Sequence, residues 1–116
     1  MLWVSYGKYT QEGIKGMIAN PANRAEAAGK LSEALGGKLI SCHMLLNGDI
    51  DFIIVTDMPD DKLADNALVS PMLVRGSGAI ESITMVPALT AEAAVPQMQK
   101  AKKMAEAMAY KAPTQT

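Results

Sequence analysis

The chain has little of what most protein chemistry is built from. It holds one cysteine, one histidine, one tryptophan and one phenylalanine in 116 residues, and aromatics make up only 4%. A single cysteine permits no internal disulfide and no Cys-rich zinc site, so a reducing compartment suits it. Neither sign of charge is in excess, with 11 Lys and Arg against 12 Asp and Glu. Without a basic field there is nothing to draw in nucleic acid or an anionic membrane, and neither is expected as a partner. No apolar run approaches the roughly 18 residues of a spanning helix, and the opening MLWVSYGKYT is too short and too polar for a secretory leader. A cytoplasmic location is therefore the expectation.

What is present is a well-apolar chain, 49% hydrophobic, of a length that suits one domain. Residues 2–9, LWVSYGKY, alternate with the period of a half-buried strand. Thr10 can cap a helix that Pro21 interrupts. Beyond it, Ala27, Ala28, Leu31, Ala34 and Leu35 form one helical stripe before a Gly36-Gly37 stop. KLISCHMLL and DFIIVT read as two strands, joined at Asn47-Gly48 by what the dipeptide predicts to be a type I′ hairpin. Asp57 to Asp61 opens a helix with Leu63, Ala67 and Leu68 on its buried side, which Pro71 should end or kink. Gly76 to Gly78 then lead to a fourth strand, AIESITMV.

The order is βαββαβ, which predicts an α+β, ferredoxin-like fold: a four-stranded antiparallel sheet with helices on one face and the other face bare. A further helix spans residues 91–110, with Met98, Ala101, Ala105 and Met108 on a narrow stripe suited to one neighbour, and Pro96 fits only in its first turn. The domain therefore covers residues 1–89, the C-terminal helix 90–110, packed on its own or a neighbouring subunit, and a flexible tail 111–116.

Adjacent residues of a strand point to opposite faces. Cys42 should look toward the helices with Ile40, Met44 and Leu46, and His43 away with Leu39, Ser41 and Leu45. A joint Cys-His catalytic pair or metal site within one chain is thereby excluded, and no cofactor is called for. A two- or four-residue hairpin loop puts Phe52, Ile54 and Thr56 on the histidine's face. The same parity adds Trp3, Ser5 and Gly7, with Ser82, Thr84 and Val86. Such a surface is too apolar for water and too polar for a dry core, so two sheets facing each other in a homodimer, or a higher homo-oligomer, would enclose a partly polar pocket. His43 is the candidate proton carrier there, its plain reading being a strand histidine bonded to a neighbouring hydroxyl. Trp3, Ser5, Ser41 and Thr84 are candidate ligand contacts. Asp51 either contacts ligand or orders the hairpin by accepting backbone amides. Arg24 reads as a solvated residue or an anion contact.

KYT at 8–10, RAEAAGKLSEALGGKL at 24–39 and GDIDFIIVTDMPDD at 48–61 together resemble the GYD domain family, over roughly residues 1–87. The resemblance implies a ferredoxin-like fold of the dimeric α/β-barrel group in bacteria or archaea, mostly without an assigned function. The signature glycine and aspartate fall on Gly48 and Asp51, and Pro59 and Asp60 match the motif's end. Ile50 stands where the signature has tyrosine. The expected function is binding of a small organic molecule, with cofactor-independent turnover open. The competing expectation is a non-catalytic assembly or regulatory module that works through oligomer contacts.

Overall fold

The computed structural model describes residues 1–46 and 48–108. β1 (Leu2–Tyr9) alternates between half-buried and buried positions along its whole length, as a strand with one face on a core must. Thr10 comes next and caps α1 (Gln11–Ala19), its Oγ1 accepting the Gly13 amide at 3.0 Å. α1 stops before Pro21. α2 (Arg24–Ala34) opens at Asn23, whose side chain accepts the Ala25 amide, and closes into Gly36 at φ +86°, a left-handed stop. β2 (Lys38–Met44) and β3 (Phe52–Asp57) succeed it. A continuous helical stretch then runs through a 3-10 turn at Asp60–Lys62, a π-turn at Asp65–Val69 and α3 (Ser70–Gly76), before β4 (Ile80–Ala88) and α4 (Ala91–Met108).

The strands lie in the order β2-β3-β1-β4, every neighbouring pair antiparallel. This is the ferredoxin-like βαββαβ arrangement that the order of elements predicts. α2 and α3 stand over one face of the sheet, with a cavity between them and the strands.

The chain passes Pro71 without ending its helix. Proline has no amide to donate and its ring needs room one turn back. The π-turn just before it supplies that room, with the Ser70 amide bonding to the Asp65 carbonyl five residues earlier. The inward stripe differs from the expected one. Leu63 and Leu68 are 60% and 61% exposed and Ala67 is exposed too, while Asn66 and Ser70 are buried. Asn66, Ser70, Leu73, Val74 and Ser77 line the cavity, at the spacing of one helical face.

The face assignments also need correction. Residues 45–51 separate β2 from β3, and the last bonded pair is Leu45 with Asp51, its amide to carbonyl distance 2.9 Å. The turn is thus longer than two residues and encloses an odd number, so even positions pair with even: Cys42 with Ile54, Met44 with Phe52 and His43 with Ile53. Gly48 has a positive φ of 82°, whereas Asn47 lies outside the described residues. On the other side of Cys42 the register shifts between Leu39 and Ser41, leaving Ile40 as an extra, exposed residue. Leu39 therefore faces the helices after all, and Ile40 and Leu46 do not belong to the core.

On β1, Trp3, Ser5, Gly7 and Tyr9 are the buried set, paired with Thr56, Ile54 and Phe52 on one side and with Met85 and Ile83 on the other. They sit under the helices, not on the bare face. The bare face carries Val4, Tyr6 and Lys8 from β1, Ile53 and Val55 from β3, Ser41 and His43 from β2, and Ser82, Thr84 and Val86 from β4.

Every residue of α4 except Ala94 is exposed, and the helix forms no extended packing with another described element. Its Pro96 lies in the second turn, not the first, where it cannot donate to the Glu92 carbonyl. The end expected for this helix at residue 110 and the tail 111–116 lie outside the described residues.

Candidate functional site

The cavity between helices and sheet measures about 450 Å³, within the range of small-molecule sites. Its floor is the buried face of the sheet, with Ser5, Cys42, Phe52, Ile54 and Thr56. Ala28, Leu31 and Ser32 of α2 form one wall, and the inward stripe of α3 and its preceding π-turn forms the other. It opens past Ala27 and Leu73, both exposed. The strands give it direction. Tyr9 pairs with Ile80 near the start of α2, and six positions back Trp3 pairs with Thr56 at the opposite end.

Most of this lining is apolar, with a few convergent polar groups. Ser32 Oγ donates to the Ala28 carbonyl at 2.8 Å. The Asn66 side chain is 1% exposed, and its Nδ2 is buried without a hydrogen-bond partner among the described residues. A buried amide donor left unmatched costs about 1–3 kcal/mol, so this atom marks where a partner belongs.

At the other end stands Tyr9. Its ring packs on Phe52 at 5.1 Å between centroids, and its hydroxyl donates to Met44 Sδ at 3.7 Å. Burial pushes the Tyr9 phenol above its ordinary pKa, against the opposing pull of the Arg24 guanidinium that faces it. Burial likewise pushes the Cys42 thiol up, again with Arg24 opposing. Both groups therefore stay neutral near pH 7, and Cys42 is a poor nucleophile.

The residues expected to share one pocket are divided. Ser5 lines the cavity, and Trp3 is buried on the same face. Ser41, His43 and Thr84 lie on the other side of the sheet, Ser41 across from Val55, His43 from Ile53 and Thr84 from Tyr6. His43 and Thr84 are exposed and Ser41 is half-buried. Asp51 joins neither group: its Oδ2 accepts the Tyr9 amide at 2.9 Å and its own amide donates to the Gly7 carbonyl at 2.7 Å, tying the β2–β3 loop to β1. Asn66, Ser70 and Tyr9 are the residues that sequence reasoning passes over. The spacing of Asn66, Ser70, Val74 and Ser77 is the trace they leave, obscured because a stripe so polar reads as a solvated face.

Among the described residues no cluster of His, Cys, Asp and Glu is arranged to hold a metal ion, and no helix is long and apolar enough to cross a membrane. No curated protein and no solved structure matches the chain. The GYD domain model matches residues 3–96, which takes in the sheet except for Leu2, every helix that lines the cavity and the start of α4. The chain belongs to the GYD domain family.

Proposed function

We propose that this protein binds a small, largely apolar organic molecule in the cavity between its helices and its sheet. The observation that carries the reading is Asn66 Nδ2, a fully buried donor without a partner among the described residues, on the wall of an apolar cavity of about 450 Å³. Natural interiors rarely leave such a group unmatched, and a ligand oxygen would complete it. Turnover without a cofactor is compatible with this site, although His43 stands on the opposite face. The test is binding of a neutral fluorescent probe, N-phenylnaphthylamine, by the purified protein. Saturable fluorescence enhancement that Ala28→Trp abolishes, in a variant with unchanged circular dichroism, supports the reading. Probe binding that survives with the cavity filled refutes it.

A second reading, self-association, has its own support. The bare face presents Val4, Tyr6, Ile53, Val55 and Val86 together, and α4 exposes Val95, Met98, Met104 and Met108. Apolar surfaces of this kind on a chain this size mark contacts with other chains. A homodimer, or a larger homo-oligomer, that joins sheet to sheet would cover the first, and α4 lying on a neighbouring subunit would cover the second. Such assembly accompanies ligand binding or, in the alternative, is itself the function. Sedimentation at micromolar concentration distinguishes an oligomer from a 12.3 kDa monomer.

A further inference from the structure

The described lining of the cavity carries charge of one sign. Of the described residues that line it, Arg24 is the one with a permanent charge, and none is an aspartate or glutamate. Arg24 forms no ion pair among the described residues. Its guanidinium instead faces the Tyr9 hydroxyl and the Cys42 thiol, both neutral, while the one carboxylate that acts on Tyr9, Asp51, lies outside the lining and accepts the Tyr9 amide. It is also the first residue of α2, where the positive end of the helix dipole disfavours a cation. The one acid of that first turn, Glu26, is exposed and does not line the cavity. Arg24 is an exposed cation at the rim of an apolar cavity, at a helix end that disfavours it and with no ion pair among the described residues, and so is open to an anion that arrives from outside.

We infer that the ligand is a compact apolar carboxylic acid, bound with its carboxylate on Arg24 and Tyr9 and its apolar body over Phe52 and Ile54 toward Asn66. This rests on the cavity being the ligand site. A single guanidinium fork matches one carboxylate bidentately, and a phosphate dianion would be left half compensated. Tyr9 Oη now spends its proton on a thioether sulfur, a weak acceptor that a carboxylate oxygen displaces without loss. Asn66 is a second, independent sign of a ligand in the same cavity, because its unmatched amide donor calls for one acceptor oxygen on an otherwise apolar molecule.

The experiment compares two ligands of the same shape, naphthaleneacetate and its neutral amide, as competitors of N-phenylnaphthylamine. In the wild-type protein the acid should compete about ten-fold or more better than the amide, the scale of one hydrogen bond to a charged group. Arg24→Gln should erase that preference, read as the ratio of acid to amide affinity in the same variant, whatever its effect on the probe. Arg24→Lys, which keeps the charge but not the fork, should restore part of it. Equal competition by acid and amide in the wild type, or a preference that survives Arg24→Gln, overturns the inference while probe binding keeps the cavity reading intact. Failure of the neutral probe to bind overturns the cavity reading and the carboxylate with it.

Discussion

Cys42 stands directly across from Ile54 in the β2–β3 ladder, with its thiol on the floor of the cavity. That position makes the sole cysteine of the chain a reporter on the site. Its thiolate fraction is low because burial raises the thiol's pKa. Maleimide should therefore react more slowly with the folded protein than with the chain in urea, and more slowly still when N-phenylnaphthylamine fills the cavity. Equal rates in all three states would place the thiol in open solvent.

Asn66 should separate stability from binding. Its Nδ2 is buried and unmatched among the described residues, so Asn66→Leu removes a penalty and adds apolar contact beside a cavity with room for it. The expected outcome is a gain of about 1 kcal/mol in urea denaturation. Affinity for a carbonyl-bearing ligand should fall in the same variant. A loss of stability would mean that an internal water satisfies the amide in solution.

Alkali should destabilise the fold through two groups. Tyr9 and Cys42 both have pKa values raised on folding. The folded state thus holds protons that the unfolded chain releases, at about 8.5 for cysteine and about 10 for tyrosine. Stability from these groups is complete below those values and is lost as pH rises through the folded pKa of each. The thermal midpoint should fall from about pH 8.5 upward. Cys42→Ala should remove the earlier part of the fall and Tyr9→Phe the later part. An unchanged profile in the double variant would assign the alkaline loss elsewhere.

The order of elements was legible because each boundary carries local chemistry: Thr10 and Asn23 as caps, Pro21 as a break, Gly36 as a left-handed stop. Which face of the sheet is inside was not. It depends on two odd insertions, the residues 46–50 enclosed by the Leu45–Asp51 pair and the extra residue Ile40, and each inverts the parity of the strand residues beyond it. Composition could not arbitrate, since β1 has Leu2, Val4 and Tyr6 on one side and Trp3, Ser5 and Gly7 on the other. The more polar of these sets is the buried one. Ser5, Asn66 and Ser70 are polar and buried together around the cavity, where hydrophobicity alone places nothing. The candidate site was thus hidden for the same reason that it is a site.

The apolar bare face should hold subunits together. Val4, Tyr6, Ile53 and Val55 adjoin there, with His43 across from Ile53 and Thr84 across from Tyr6. Burying a side chain of the size of Ile53 contributes roughly 1.5–3 kcal/mol, and a lysine in its place would add an unpaired charge. Ile53→Lys should therefore shift the association equilibrium toward monomer by at least about ten-fold in analytical ultracentrifugation. Because this face is separated from the cavity by the sheet itself, the same variant should still bind N-phenylnaphthylamine. His43→Ala should likewise keep probe affinity and act, if anywhere, on assembly. Loss of probe binding in His43→Ala with the oligomer intact would return the site to the bare face. A wild-type protein that sediments as a monomer, with Ile53→Lys no different, would instead leave the exposed apolar sheet to some other chain.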